Sequence, residues 1–207
     1  MNNDTSIPET GSLWRTLGGQ FNPAVRLFVL LTLICGVAYP LLVTGIAQLA
    51  FPFEANGSMI GRNGKAVGSV LIGQSFSDPR YLWGRPSATS PQPYNGVNSG
   101  GSNLAPTNPA LRDAVKDRIA ALQAANPMQT GAVPQDLVTA SASGLDPHIS
   151  PAAAAYQVDR IASARGLPAE RVRAIMAAHT QAPDFGIFGE TRVNVLQVNL
   201  DLDALKP

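Results

Sequence analysis

Cysteine and histidine are scarce in this sequence. Its 207 residues include one cysteine, Cys35, and two histidines, His148 and His179. A single cysteine excludes an internal disulfide and a cysteine-based zinc cluster. The histidines form neither an H-E-x-x-H motif nor a pair four residues apart, so the sequence predicts no metal site. We expect His148 in a turn before a helix cap and His179 at a helix end, which favours structural over catalytic roles.

Charge is also low and balanced. Charged residues make up 14% of the chain, and the formal net charge is +1. Such a chain has no overall basic field for nucleic acid and no acidic field for a basic partner. Charge is therefore not the driving force for binding.

Signatures of ATP hydrolysis and nucleophilic catalysis are missing. The segment Gly61–Ala66 superficially resembles a P-loop, but it lacks the full glycine spacing and a Ser or Thr after Lys65. Asp184-Phe185-Gly186 has the letters of a kinase metal motif without the catalytic loop or the glycine-rich lobe that accompany it. No G-x-S-x-G elbow is present in the sequence. The sequence therefore predicts a protein that is not itself an enzyme.

One apolar run is long enough to cross a membrane. Leu27–Ala50 contains 24 residues without a charge, which as a helix span about 36 Å. This length exceeds a hydrocarbon core of about 30 Å, and it also exceeds the apolar region of a cleaved signal peptide, which is the main alternative. We predict a transmembrane helix over residues 24–51.

Basic residues give a weak indication of orientation. Arg26 lies at the start of the apolar run, whereas Arg62 and Lys65 follow it at a distance. Basic residues next to a span favour the cytoplasmic side. We therefore expect residues 1–23 in the cytoplasm and residues 52–207 outside it.

Small and polar side chains recur at every fourth position of the predicted helix. We call them the small-polar stripe: Thr32, Gly36, Pro40, Thr44 and Gln48. Helices associate in lipid through small residues that allow close approach and through shared polar groups. Pro40 removes a backbone donor and is expected to kink the helix unless a neighbour satisfies the freed carbonyl. The stripe predicts a docking face, although such residues are also common in membrane helices generally.

The rest of the chain predicts one mixed α/β domain after the membrane helix, so the fold class is α+β. Asn63-Gly64 suits a tight turn inside a hairpin over Gly57–Phe76. Apolar residues alternate from Val193 to Leu202 with a change of phase at 195/196, which predicts a bulged strand.

Three helices are predicted in this domain. Asn108 as N-cap and Pro109 as first residue predict a helix that ends near Ala125. A second helix is expected from Ser150 to Gly166, and a third is expected to begin near Leu167-Pro168.

The segment Pro86–Pro109 is rich in proline, glycine and small polar residues and predicts no regular secondary structure. Large side chains in and beside it, which include Tyr81, Trp83 and Arg85, indicate an ordered surface loop, and we predict that these three contact partners. Within the loop, Ser99-Gly100-Gly101-Ser102-Asn103 can present backbone N–H groups to an anion, with Arg85 nearby in sequence. A plain flexible turn is the competing interpretation.

Several longer strings resemble the KdpC family. They are GQSF at Gly73–Phe76, PRYLWGRPSA at Pro79–Ala88, SGGSNLAPTNP at Ser99–Pro109, PQDLVTASASGLDPHISP at Pro134–Pro151 and FGIFGETRVNVLQVNL at Phe185–Leu200. The resemblance runs from the membrane span to the C-terminus. Irregular strings of this length distinguish one protein family from another far better than a short motif does.

The resemblance implies a single-pass subunit of the bacterial high-affinity potassium pump, with its globular part in the periplasm and its span in the inner membrane. In that family a channel-like subunit carries the ions and a P-type ATPase subunit hydrolyses ATP. The Asp-Lys-Thr-Gly-Thr phosphorylation sequence of such ATPases is absent here. The resemblance therefore implies a non-catalytic accessory subunit that stabilises the complex and supports ATP binding as a catalytic chaperone.

The expected partners are the channel-like subunit, the ATPase subunit, the small single-span subunit of the complex, and membrane lipid. ATP and potassium are expected to be handled by the complex rather than held by this chain as cofactors. Two other hypotheses stay open: a membrane-tethered periplasmic enzyme or solute-binding module, and direct nucleotide binding by Ser99–Asn103 with Arg85.

Overall fold

The computed structural model describes residues 10–62 and 64–205, without the side chains of residues 10–14 and 16. The chain divides into two compact units between Asn56 and Gly57. The first unit is helical, and the second is a domain of helices and short antiparallel strands. This confirms the predicted α+β class with one long N-terminal helix. Part of the predicted tail and Asn63 of the predicted turn lie outside the described residues.

The first unit is one long helix with a change of winding in its middle. It consists of α1 (Thr10–Leu31), a π-helical segment (Thr32–Ala38) and α2 (Tyr39–Ala50), and the short α3 (Pro52–Ala55) follows. Within Leu17–Ala50 the most apolar 18-residue window has a mean hydropathy of 2.3, and no residue of this stretch is buried. By length and composition it can cross a membrane.

A hairpin opens the second unit. It is formed by β1 (Met59–Arg62) and β2 (Lys65–Ser69), which pair antiparallel. Strand β2 is shorter than the predicted strand to Phe76, because the Ser69 hydroxyl accepts the N–H of Leu71 at 3.1 Å and starts a turn. Gly64 has a φ of 75° at the tip, a conformation that glycine adopts without strain.

A separate three-stranded antiparallel sheet lies further along the chain. Its strands are β3 (His148–Ile149), β4 (Thr180–Gln181) and β5 (Arg192–Asn194), in the order β3-β5-β4. His148 therefore lies in a strand, and the prediction of a turn at that residue was wrong. The turn comes just before it, where Asp146 Oδ1 accepts the N–H of His148 at 3.0 Å.

Most of the predicted helices are present. Helix α4 (Pro109–Ala125) has the predicted limits, and Asn108 caps it by accepting the N–H of Ala110 at 2.9 Å. A 3₁₀ turn (Gln135–Leu137) precedes α5 (Pro151–Tyr156), α6 (Val158–Arg165) and α7 (Ala169–Ala178). His179 ends α7 as predicted.

The single helix predicted from Ser150 to Gly166 is divided at Gln157. The Gln157 side chain binds the backbone of Trp83, accepting its N–H at 2.9 Å and donating to its carbonyl at 3.0 Å. The break therefore coincides with a contact between residues 74 positions apart in the sequence. No local sequence pattern predicts the break.

The C-terminal segment is a helix, and the predicted bulged strand was wrong beyond Asn194. Helix α8 (Val195–Ala204) follows β5 directly, and the Asn194 side chain caps it by accepting the N–H of Gln197 at 3.1 Å. Val195, Val198 and Leu202 are buried at helical spacing. The change of phase in the apolar pattern at 195/196 coincides with the start of this helix.

The core of the second unit includes Leu82, Ile149, Val158, Ile161, Val172, Val193, Val198 and Leu202. Helices α6 and α8 hold the segment around Leu82, which precedes the long loop. Arg165 of α6 joins α8 to this segment, because its guanidinium donates to the carbonyls of Arg80 at 2.6 Å and Leu202 at 2.8 Å. Asn199 binds both backbone groups of Leu82.

The loop after Pro86 is held by side chains rather than by regular secondary structure. The Ser87 hydroxyl donates to the carbonyl of Gly144 at 2.7 Å and accepts the N–H of Tyr94 at 2.9 Å. Thr89 accepts the N–H of Asn95 at 3.0 Å. The segment is the ordered loop that its composition and large side chains predict.

Candidate partner-binding surfaces

Every member of the small-polar stripe is exposed on the long helix. Thr32 and Gly36 lie in the π-helical segment, and Pro40 is the second residue of α2. Pro40 cannot donate a backbone hydrogen bond, and the π-helical segment ends two residues before it, at Ala38. There the Tyr39 N–H donates to the carbonyl of Ile34, five residues back. The feature expected as a kink is thus a π-helical segment.

The π-helical segment changes the course of the stripe. In an α-helix four residues exceed one turn of about 3.6 residues, so a row of every fourth residue drifts around the axis. A π-helical turn closes with i→i+5 bonds and holds more residues, so the same spacing falls short of a turn and the drift reverses. The segment therefore keeps the stripe nearer to one side than an uninterrupted α-helix would.

Gln48 has a partner within its own unit. Its side-chain amide and that of Asn56 exchange two hydrogen bonds, of 3.1 Å and 3.4 Å. Asn56 also donates to the carbonyl of Pro52 at 2.6 Å. Gln48 thus stabilises the turn after α2. The other members of the small-polar stripe remain the better candidates for contacts with another helix.

Tyr81, Trp83 and Arg85 all make contacts inside the domain. The Tyr81 hydroxyl donates to Asp203 at 3.1 Å, and the indole N–H of Trp83 donates to the carbonyl of Asp78 at 2.9 Å. Arg85 forms an ion pair of 3.2 Å with Asp146. All three are half-buried. They position the loop, and their predicted contact with partners stays a prediction.

The Trp83 indole packs against a buried guanidinium. Arg160 lies 4.0 Å from the ring centroid and donates to the carbonyls of Pro79 at 2.6 Å and Tyr81 at 3.1 Å. Burial lowers the pKa of Arg160 to about 10, so the group remains charged at neutral pH. Backbone carbonyls and the face of Trp83 thus solvate this charge and fix the course of the segment from Pro79 to Trp83.

A groove of about 490 Å³ lies beside Arg85 and is lined by polar side chains that include Asp146, His148 and Arg192. Asp146 contacts two of the other lining residues, Arg85 and His148. Burial acts to raise the Asp146 pKa, but the hydrogen bonds from His148 and the charge of Arg85 outweigh it, so the pKa lies below its ordinary value. Asp146, Arg85 and His148 are paired with one another, so the groove gives no specific support to the alternative function of a solute-binding module or enzyme.

Two residues of the glycine-rich stretch Ser99–Asn103 form hydrogen bonds with a neighbouring loop. The Gly100 N–H donates to the carbonyl of Ser143 at 2.8 Å, and the Ser99 hydroxyl donates to the same carbonyl at 3.0 Å. Arg85, the predicted anion partner, is engaged by Asp146. These contacts weaken the hypothesis of direct nucleotide binding, because they use groups that the ligand would need.

One surface was missed by the sequence analysis. The connection between β4 and β5 exposes three large apolar side chains, which we call the apolar tip: Phe185, Ile187 and Phe188. The signal in the sequence is an apolar run between Pro183 and Gly189 that is too short for an element of the core.

Comparison with known proteins connects both units to one family. The potassium-transporting ATPase KdpC subunit of Polaromonas naphthalenivorans is 66% identical over 185 residues, which cover 89% of this chain and 94% of the relative. That of Ralstonia nicotianae is 64% identical over 189 residues, 91% of this chain and 93% of the relative. That of Sorangium cellulosum is 59% identical over 187 residues, 90% of this chain and 98% of the relative.

The family model described as KdpC, the c chain of the K⁺-transporting ATPase, matches residues 21–204. The match includes the apolar helix, the long loop and the C-terminal helix. It therefore covers both the small-polar stripe and the apolar tip. This chain belongs to the KdpC family, the non-catalytic c chain of the K⁺-transporting ATPase.

Proposed function

We propose that the chain stabilises the K⁺-transporting ATPase complex and that its membrane helix supplies the principal contact with the other subunits. The observation that carries the proposal is the small-polar stripe on a helix in which no residue of Leu17–Ala50 is buried. Lipid offers no hydrophobic gain for helix association, so small residues and polar groups decide where helices meet. The partners are the channel-like subunit, the ATPase subunit and the small single-span subunit.

The proposed topology places residues 1–23 in the cytoplasm, residues 24–51 in the inner membrane and residues 52–207 in the periplasm. Arg26 at the start of the span supports this orientation. The exposed Val97 allows a test. A Val97→Cys substitution in a Cys35→Ser background is expected to react with an impermeant maleimide in spheroplasts, whereas reaction only after lysis contradicts the orientation.

In this proposal the effect on ATP binding by the ATPase subunit is indirect. A nucleotide in the cytoplasm cannot reach a periplasmic loop, and the Gly100 N–H is already used by Ser143. The chain instead binds one conformation of the pump more tightly than another, which shifts the population toward the state with higher ATP affinity. The periplasmic domain caps or orders the ion entrance.

Two glycines of the helix provide a matched test. Gly36 belongs to the stripe, and Gly45 lies off it with no atom within 4 Å of an added Cβ. Gly36→Leu together with Thr44→Leu is expected to abolish co-purification of the chain with the pump subunits in mild detergent, because the leucines prevent close approach. Gly45→Leu is expected to leave it intact. Equal retention of both variants contradicts the proposal.

A further inference from the structure

The apolar tip is the strongest unexplained surface of the domain. Phe185 is 94% exposed, Ile187 75% and Phe188 63%. Isolated exposed apolar side chains are common on protein surfaces, but neighbouring large ones mark interaction sites. The three residues also lie within four consecutive positions of one short connection.

The connection that carries the tip is fixed by hydrogen bonds. The N–H of Asp184 donates to the carbonyl of Phe188 at 2.8 Å, and the N–H of Phe188 donates to the carbonyl of Asp184 at 2.9 Å. Phe185 has a φ of 55°, in a region that is unfavourable for residues other than glycine and persists where its surroundings determine it. The apolar side chains are therefore exposed in a defined conformation that is formed in advance of binding.

The charges beside the tip indicate what it binds. Asp184 and Glu190 are exposed on its two sides, and the nearby Arg192 is paired with Asp184 at 3.3 Å. The surroundings of the tip are thus acidic on balance. An anionic lipid surface attracts basic segments, so the tip is poorly suited to insertion into such a surface. A protein pocket with an apolar floor and a basic rim complements it.

We propose that the apolar tip inserts into an apolar pocket, rimmed by basic side chains, on another subunit of the same pump. This inference rests on the proposed function, because it assumes that the chain is held in the complex by its membrane helix. The tip then fixes the second unit to the assembly, a task that the small-polar stripe of the first unit does not perform.

Photo-crosslinking in the intact complex tests the contact directly. Benzoylphenylalanine is placed at Phe185 in the full chain and, as a control, at Val97, which is 95% exposed and lies on another loop. Irradiation of membranes that contain all pump subunits is expected to join position 185, and not position 97, to another subunit. Adducts with lipid alone, equal adducts at both positions or no adduct at position 185 overturn the proposal.

Substitutions at the tip give a quantitative second test. Ile187→Ser with Phe188→Ser is expected to increase dissociation of the purified complex about tenfold or more, as for central apolar anchors of interfaces. Met128→Ser, at a residue that is 86% exposed elsewhere, serves as the control and is expected to have no effect. The melting temperature of the isolated full chain should not change in either variant, because these side chains do not contribute to the core.

The two proposals fail in different ways. If the wild-type chain does not co-purify with any pump subunit, the proposed function fails and the role of the tip fails with it. If the wild-type chain and the tip variant are retained equally, only the role of the tip fails. A Glu190→Lys variant adds a test of the rim, since reversal of its charge is expected to weaken retention.

Discussion

The side-chain amide of Asn199 binds both backbone groups of Leu82, although 117 residues separate them. Asn199 Oδ1 accepts the N–H of Leu82 at 2.7 Å, and its Nδ2 donates to the Leu82 carbonyl at 2.9 Å. Both residues are buried. The amide therefore supplies the two hydrogen bonds that a neighbouring strand would otherwise give, and it allows an irregular segment to pass through the core.

Asn199→Leu is expected to destabilise the domain strongly. The variant leaves the N–H and the carbonyl of Leu82 buried without partners, which costs about 2–5 kcal/mol in unfolding free energy. Thermal and urea unfolding of the full chain in detergent measure the loss. Gln197→Ala, in the same helix but without a role in this contact, is expected to stay within about 0.5 kcal/mol of wild type. Comparable losses in both variants contradict the assigned role.

Arg160→Lys is expected to destabilise the domain although it preserves charge. The guanidinium binds the carbonyls of Pro79 and Tyr81 and packs on the face of Trp83, and a lysine ammonium cannot reproduce this planar arrangement. A loss of about 1–3 kcal/mol is expected, together with a change in tryptophan fluorescence. Arg173→Lys, at an exposed position, is the control and should show neither effect. A stable Arg160→Lys variant with unchanged fluorescence contradicts the prediction.

Gly73→Ala is expected to distort the packing of the long loop. An added Cβ would lie 2.3 Å from Tyr94 Cε1 and 2.7 Å from the carbonyl oxygen of Asp146. Because one of these neighbours is backbone, the strain costs about 1–3 kcal/mol. Gly96→Ala lies in the long loop itself with no atom within 4 Å of its added Cβ and is expected to unfold at or slightly above the wild-type temperature.

The contribution of Asp146 to stability is expected to disappear in acid. Its pKa is lower in the folded state than the ordinary value of 3.8, so the unfolded chain binds more protons in this range. The contribution is fully present above pH 3.8 and is lost as the pH falls through the folded pKa. Unfolding of Asp146→Asn should vary less with pH than that of wild type below pH 4, about the ordinary carboxyl range. Parallel pH profiles contradict this assignment.

Sequence signals were sufficient to predict a helix where they lie within that helix or directly beside it. Asn108 and Pro109 predicted the start of α4, and the structure has the cap and the first residue there. The uncharged run from Leu27 predicted the long apolar helix in the same way. In both cases the deciding interactions lie within a few residues of sequence.

The errors occurred where distant residues decide. Val195, Val198 and Leu202 fit a strand with a shifted phase as well as they fit a helix, and the contact of the buried Asn199 with Leu82 favours the helix. The break at Gln157 depends on the backbone of Trp83. Neither contact leaves a periodic signal in the sequence.

The surfaces were predictable only in part. Periodicity identified the small-polar stripe, but it could not show the π-helical segment in which Thr32 and Gly36 lie. Composition indicated that Tyr81, Trp83 and Arg85 are important, yet their internal contacts depend on residues far along the chain. The exposure of Phe185 follows from its place in a fixed connection, which the sequence does not reveal.

The dependence of Leu82 on Asn199 has a consequence for biosynthesis. A chain that ends before Asn199 cannot satisfy the buried backbone of Leu82, so it stays open to proteases. Chain termination before Asn199 should therefore yield degraded fragments rather than a smaller stable domain. Helix α8 is therefore required before the domain becomes resistant to proteolysis.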